Sequence, residues 1–463
     1  MAGQRGLREA ARQPDRWSMA RDLPTDLTAD LRTRLAGVRG RLVLGFSGGL
    51  DSTVLLAALV RAGFGDRVLA VHVAHGLQAA AEGWAAHCAG VAGDLGVACQ
   101  SVPLGLAPGS NLEARAREAR RTALLALTGE ADALLLAHHA DDQAETLLLR
   151  LLRGSGPAGL AAMVPHRQYA GRTLIRPLLD WRRAELAALA QAWGLHWVED
   201  PTNAELDANR NFLRHDILPR LAQRWPAAAE TLARGARLQG EAAELMAELA
   251  QGDHDALVKA DGALSLSGFA SLSPARRRNL LYGWLRAQGL QPPPLKVLNR
   301  VLDELLTAGE DRQPQVAWDD GVFRRHRDGL YLLGPAALAP LSGEAQLRLE
   351  EGGSCRLGPL QVSVQAGVAN GGDWCLPRSL SEVTVCAAPR GARLRQGGMA
   401  RDIRELWRAA GIPPWQRARL PVLCQAGELL AAARIGMADQ ARMAPDEPAW
   451  VLHWQLDGGH SGL

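Results

Sequence analysis

Apolar residues in the N-terminal half of the chain fall into short continuous runs separated by longer amphipathic stretches. The runs at 42–46, 68–73, 97–102 and 133–137 have strand length and no alternation, as expected of strands buried on both faces. Helical spacing begins at 52 and recurs over 79–95, 112–127 and 141–152. A further strand end at 174–178 precedes a helix over 180–193. This alternation predicts a parallel sheet with helices on both faces. In such a sheet, ligands bind beyond the strand C-termini, at the switch point of the strand order.

The flanking regions read differently. Residues 1–39 look like an extension with one short helix over 26–35. Trp225-Pro226 marks a break, after which 227–250 has the Ala/Glu/Leu composition and period of one long helix. Ser273-Pro274 reads as an N-cap followed by proline at the first helical position. Strands are expected at 316–318 and 330–333, and alternating ones at 347–349 and 362–364 in a Gly-rich stretch. A helix over 403–410 and two runs at hairpin distance, 420–424 and 429–433, complete the chain.

Composition narrows the class. With 463 residues, 47% of them hydrophobic, the chain can form two to four domains with large cores. A net charge of only +3 means that any nucleic-acid surface must be local. The six cysteines form no CxxC pair, so redox motifs and cysteine metal clusters are unsupported, and a reducing cytoplasm is the expected compartment. The segment 1–17 carries arginines without an apolar core, and no run is long enough for a membrane span.

Two stretches carry the candidate chemistry. Ser47-Gly48-Gly49-Leu50-Asp51-Ser52 joins the first buried strand to a helix. Glycines there let a phosphate touch the backbone, while free N–H groups and the helix dipole favour negative charge. Ser47 and Ser52 add hydroxyls, and Asp51 adds a carboxylate suited to Mg²⁺. No lysine precedes Lys259, so this is not a Walker A loop, and a pyrophosphate cradle suits it better. The second stretch, His138-His139-Ala140-Asp141-Asp142-Gln143-Ala144-Glu145-Thr146, follows the fourth strand and opens a helix. Asp142 and Glu145, at i,i+3, face the same side. Two carboxylates beside a phosphate cradle call for a cation or a cationic substrate.

Lesser signals flank these. His75 and Gly76 follow the second strand, where His75 either contacts a nucleotide or caps the strand. Arg117, Arg120 and Arg121 share a helix face with Glu113 nearby, either as a solvated face or as a patch for polyphosphate or tRNA. Arg153 precedes Gly154-Ser155-Gly156, which is either ordinary C-capping or a ligand clamp. Arg210 and Arg214 open a helix after a turn-rich loop at 199–203.

The Ser47-to-Ser52 hexapeptide resembles the PP-loop of the ATP pyrophosphatase superfamily. Taken with His75-Gly76-Leu77, Glu113-to-Arg120, His138-to-Thr146 with Arg153-to-Gly156, and Glu199-to-Arg214, the order of motifs over about 41–220 resembles the bacterial tRNA(Ile)-lysidine synthetases. Arg121 stands where that family commonly has an aromatic residue, and Ala74 where a polar one is frequent. The resemblance implies a PP-loop α/β domain, a mainly helical middle domain and a small mixed α/β C-terminal domain. The expected division is an extension (1–39), a catalytic domain (40–225), a substrate-binding domain (226–335), a strand-rich connector (336–378) and a tRNA-binding domain (379–456).

The implied reaction uses ATP and Mg²⁺ to adenylate C2 of the wobble cytidine in a tRNA(Ile) with a CAU anticodon. L-lysine then displaces AMP. Ser47, Gly48, Gly49, Leu50, Asp51, Ser52, His75 and Gly76 would bind ATP, with Asp51 and Asp142 as metal ligands. Asp142, Glu145, Arg117 and His138 would carry catalysis. Glu113, Arg120, Arg153, Arg210, Arg214, Arg393 and Arg395 would contact substrate or tRNA. No membrane partner is expected, and a homodimer is left open. A thiolase of the same superfamily would need a sulfur-carrying cysteine pair or a CxxC site. A glutaminase-linked synthetase would need a nucleophilic cysteine after Met1, where Ala2 stands. An inert tRNA-binding protein would have no use for Asp51, Asp142 and Glu145 together.

Overall fold

A computed structural model describes residues 23–74, 81–104, 112–199, 209–309, 312, 314–369 and 374–456. His75 and Gly76, and most of the loop 199–208, lie outside the described residues. The chain divides into two compact units, 1–245 and 246–463.

The first unit is the expected α/β domain. Helix α1 (Leu23–Leu35) leads to strand β1 (Leu42–Gly45), α2 (Leu50–Arg61), β2 (Val68–Ala74), α3 (Ala81–Asp94) and β3 (Ala98–Pro103). Then follow α4 (Leu112–Ala126), β4 (Ala133–Leu135), α5 (Ala140–Leu152), α6 (Pro157–Leu160), β5 (His166–Tyr169), β6 (Arg172–Ile175) and α7 (Arg183–Ala192). The sheet order is β3-β2-β1-β4-β6-β5. All pairings are parallel except β5 with β6. The central strands have both faces buried. Leu42 and Leu44 join a core with α1, α2 and α7, whereas Val43 and Leu134 join one with Leu124 of α4. The order reverses between β1 and β4, so the motifs that follow these two strands come together there.

Two features depart from the sequence expectation. The region expected as an N-terminal extension contributes α1 to the core, because Leu27, Leu31 and Leu35 form an i,i+4 stripe that is fully buried. Asp30 on the same helix accepts a hydrogen bond from the Trp181 indole N–H at 3.2 Å. The second departure is the edge hairpin of β5 and β6. It turns through Ala170 and Gly171, both at positive φ, and has no Asn-Gly or Asp-Gly signal.

The unit continues through α8 (Asn209–Phe212), a π-type turn (Leu213–Ile217), α9 (Leu218–Arg224) and α10 (Ala228–Leu257). Helix α10 outruns its expected end at 250. In its last turns the buried Asp253 pairs with Arg276.

In the second unit, helices Leu266–Ser271, Pro274–Ala287 and Leu295–Arg300 pack on a four-stranded sheet around Phe269, Leu281, Trp284 and Phe323. Beyond it, Glu344–Arg348 pairs with Glu382–Ala387, and Leu360–Val368 pairs with Pro448–Leu456 along its whole length. The stretch expected as a connector therefore shares both sheets with the stretch expected as a separate C-terminal domain. One buried cluster, including Leu347, Val362, Trp407 and Leu452, spans them. Alternating strands alone do not reveal their partners, which lie many residues away.

Candidate active site

The turn after β1 forms because Gly48 adopts φ +77°, a left-handed conformation favourable to glycine. A Cβ there would also meet the Cys88 Sγ at 2.8 Å. Gly49 is the N-cap of α2 and supplies no side chain, so the first N–H groups of the helix remain open to an anion. The Ser47 and Ser52 hydroxyls lie 3.1 Å apart beside them. Asp51, in the first turn of α2, has one carboxylate oxygen, Oδ1, buried without a hydrogen-bond partner.

The turn after β4 brings the second motif alongside. His139 is the N-cap of α5 and is almost fully buried. Its backbone N–H donates to Asp142 Oδ2 at 3.1 Å. Its ring faces three carboxylates: Asp51 at 3.6 Å, Asp141 at 3.5 Å and Asp142 at 3.5 Å. Burial alone would lower its pKa. The contacts with Asp141 and Asp51, and the charge of Asp142, outweigh it and raise the ring to about 10. A neutral ring could accept the Asp142 N–H at Nδ1, but that contact is long, at 3.4 Å. Three surrounding carboxylates favour the imidazolium, whose Nδ1–H donates toward Asp141 instead. His139 thus bridges α2 to α5 and joins the two motifs. Sequence reasoning singled out His138 and passed over His139.

His138 itself is half-buried, and burial is the main reason that it is held at about 4, hence neutral. Its Nδ1 is enclosed and has no partner. Asp142 keeps its charge down to about pH 2. Burial opposes this, but His139, His138, Arg210 and Arg214 prevail.

Glu145 is completely buried one turn further on. Its two oxygens accept from Arg210 Nε and Arg214 Nε, each at 2.6 Å. Both guanidiniums also reach Asp142 Oδ1, at 3.1 and 3.0 Å. The arginines of α8 and the π-type turn therefore close over both carboxylates as a four-residue network.

The remaining expected residues are more scattered. Leu50 is buried at the start of α2. Glu113 lies in the first turn of α4, and Arg117 is exposed further along that helix, near enough for its charge to act on His138. Arg120 is exposed, and its charge acts on His72. Arg121 binds Glu118 and lies over the Tyr169 ring. Arg153 caps the far end of α5, a 13-residue helix about 20 Å long at 1.5 Å per residue. It is thus remote from the Asp142 end. Arg393 and Arg395 are exposed on a hairpin of the second unit, Arg393–Gln396 with Met399–Asp402.

Among the described residues, no group of three or more His, Cys, Asp or Glu side chains is placed to hold a metal ion alone. Mg²⁺ is ordinarily held by one or two carboxylates together with substrate phosphates and water. The partnerless Asp51 Oδ1 beside Asp142, next to a phosphate cradle, fits that mode.

Comparison with known proteins agrees with this arrangement. Residues 27–221 match the model of a PP-loop domain, 264–331 that of the TilS substrate binding domain and 383–454 that of the TilS substrate C-terminal domain. A tRNA(Ile)-lysidine synthase of Alkalilimnicola ehrlichii is 42% identical over 89% of this chain and 94% of its own length. One from Methylococcus capsulatus is 41% identical over 88% and 95%. One from Serratia proteamaculans is 39% identical over 93% and 98%. No described helix is long and apolar enough to cross a membrane. With a PP-loop cradle, both TilS domain matches and relatives aligned almost end to end, this chain belongs to the tRNA(Ile)-lysidine synthase family of ATP-using, tRNA-modifying ligases.

Proposed function

We propose that the chain ligates L-lysine to C2 of the wobble cytidine in a CAU-anticodon tRNA(Ile), giving lysidine, AMP and pyrophosphate. The observation that carries this reading is the junction of two motifs: Asp51 of the cradle and Asp142 of α5 converge on one buried histidine, with Asp51 Oδ1 left without a partner.

In the first step the cytidine O2 attacks the α-phosphorus of ATP. An O–P bond forms, the Pα–O bond to the β-phosphate breaks, and pyrophosphate leaves. The open N–H groups of α2 and the hydroxyls of Ser47 and Ser52 receive the leaving pyrophosphate. Asp51 and Asp142 would hold Mg²⁺, which when bound offsets charge on the phosphates. Arg117, on the α4 face toward His138, supplies further positive charge.

In the second step the lysine ε-amine attacks C2, the C2–O bond breaks, and AMP leaves with that oxygen. The amine must first lose a proton, against a free pKa near 10.4. His138, held neutral with an unpartnered Nδ1, offers a polar contact without a charge. Glu145 already holds cationic side chains. A lysine ammonium replacing one guanidinium there would leave the charge balance unchanged. Glu113, Arg120, Arg153, Arg393 and Arg395 are assigned to the tRNA side.

ATP–pyrophosphate exchange tests the reading. Exchange that requires the tRNA supports cytidine adenylation. Exchange that proceeds equally without tRNA, or not at all, contradicts it.

A further inference from the structure

Three arginines converge at the end of the sheet beyond the residues assigned above. Arg176 directly follows β6, whose parallel neighbour β4 leads into His138. Its Nη1 donates to the Val164 carbonyl at 2.9 Å, but its Nε is buried without a partner. Burial, then the charges of Arg167 and Arg150, hold its pKa down to about 10. Arg150, in the last turn of α5, donates to the Gly159 carbonyl at 2.6 Å, and its own pKa is lowered by burial and by Arg167. Arg167 on β5 is exposed and lies 5.3 Å from the Tyr169 ring centroid, with Arg121 over the same ring at 4.7 Å.

None of the hydrogen bonds or ion pairs described for Arg150, Arg167 and Arg176 goes to a carboxylate. Like charges gathered in this way cost stability, so an unpaired arginine cluster with an unsatisfied buried N–H is poised for an anion. Guanidinium forks match phosphate geometry. The position selects the source. β6 lies two strands from β1 in the sheet, about 10 Å at the usual strand spacing. The cradle after β1 thus holds the nucleotide phosphates, while the end of β6 lies on the opposite side of His138.

We propose that Arg176, Arg150 and Arg167 grip a backbone phosphodiester of the tRNA, beside the nucleotide that enters the site, and so position the base. This rests on the proposed function. Arg167→Gln, Arg150→Gln and Arg176→Gln are made in the full chain. Affinity for the CAU-anticodon tRNA(Ile) is measured across salt concentrations, together with ATP affinity and thermal midpoint.

Each change is expected to weaken tRNA binding by at least about tenfold, the value of a hydrogen bond to a charged group. The salt slope should fall by about 0.7–0.9 per lost contact. ATP affinity should be unchanged. The midpoint of Arg167→Gln should be unchanged or higher, because a like charge is removed. Weaker ATP binding with unchanged tRNA binding would assign the phosphate to the nucleotide and overturn the proposal. Unchanged binding of both, or a lowered Arg167→Gln midpoint without loss of tRNA affinity, would also overturn it. If Arg176→Gln fails to fold, the exposed Arg167 and half-exposed Arg150 carry the same readouts. A wild type that binds the tRNA tightly but makes no lysidine would refute the proposed function and leave this grip standing.

Discussion

Replacing Glu145 with glutamine tests the buried network most severely. The carboxylate receives Arg210 Nε and Arg214 Nε at 2.6 Å and Arg214 Nη2 at 3.1 Å. Glutamine offers one acceptor oxygen, and its NH₂ would face a guanidinium N–H, donor against donor. Removing one partner from a buried ion pair costs about 3–5 kcal/mol. Arg210 and Arg214 keep 24% and 28% of their side-chain surface, so water relieves part of the loss and the lower end applies. About 3 kcal/mol, at roughly 2–4 °C per kcal/mol for a unit of this size, gives a midpoint lowered by about 6–12 °C. The assay is thermal unfolding followed by circular dichroism for Glu145→Gln, Arg214→Met and the double variant. The double variant should lose clearly less than the sum of the singles. A Glu145→Gln loss below about 1 kcal/mol, the range of exposed ion pairs, would refute the clasp. In the folded variant the lysine requirement should rise strongly. Single-turnover formation of the tRNA adenylate, measured without lysine, should change less. If that step fails at saturating ATP, the contact with lysine is wrong.

Other perturbations probe separate parts. Asp51→Ala should abolish AMP formation and leave tRNA binding nearly intact; near-normal lysidine synthesis would remove Asp51 from the site. Gly48→Ala should cost about 1–2 kcal/mol for its left-handed backbone, and its Cβ would also meet Cys88 Sγ at 2.8 Å. ATP affinity by calorimetry should fall at least tenfold, and wild-type affinity would contradict the cradle. Arg393→Gln with Arg395→Gln should reduce the salt slope of tRNA binding by about 1.4–1.8 if each holds one phosphate. An unchanged slope would make the hairpin structural. Asp328 is held at about 2: burial opposes this, but Lys259, at 2.8 Å, Ser267 and Ser265 prevail. Its contribution is therefore present above the unfolded carboxylate value near 3.9 and is lost as pH falls through about 2. The half-exposed pair limits the Asp328→Asn effect at pH 7 to under about 1 kcal/mol, and the gap in thermal midpoint should close between about pH 4 and pH 2.

Much of the first unit was legible because its signals are local. Continuous apolar runs such as Leu42-Val43-Leu44 declare strands buried on both faces, and the glycine turn and Asp-Asp-x-x-Glu helix start sit at their ends. What escaped depends on distant partners. His138 and His139 are indistinguishable by pattern. Only the placement of His139 as N-cap, opposite Asp51 on another helix, makes it the bridge. The clasp on Glu145 comes from residues 65 and 69 positions away. Arg176 reads as an ordinary residue at a strand end until β4 and β5 surround it. Likewise, the stretch 344–368 reads as a linker until its pairing with 382–387 and 448–456 is seen.

The central claim is that two carboxylate motifs meeting at His139 serve cytidine adenylation followed by lysine transfer. Its most direct test incubates the full chain with CAU-anticodon tRNA(Ile), ATP, Mg²⁺ and L-lysine, then measures lysidine by nucleoside mass spectrometry alongside AMP and pyrophosphate. The expected result is one AMP and one pyrophosphate per lysidine, with no lysidine when lysine or ATP is withheld. AMP released at the same rate without tRNA, or a tRNA whose wobble cytidine stays unmodified while AMP accumulates, would contradict it.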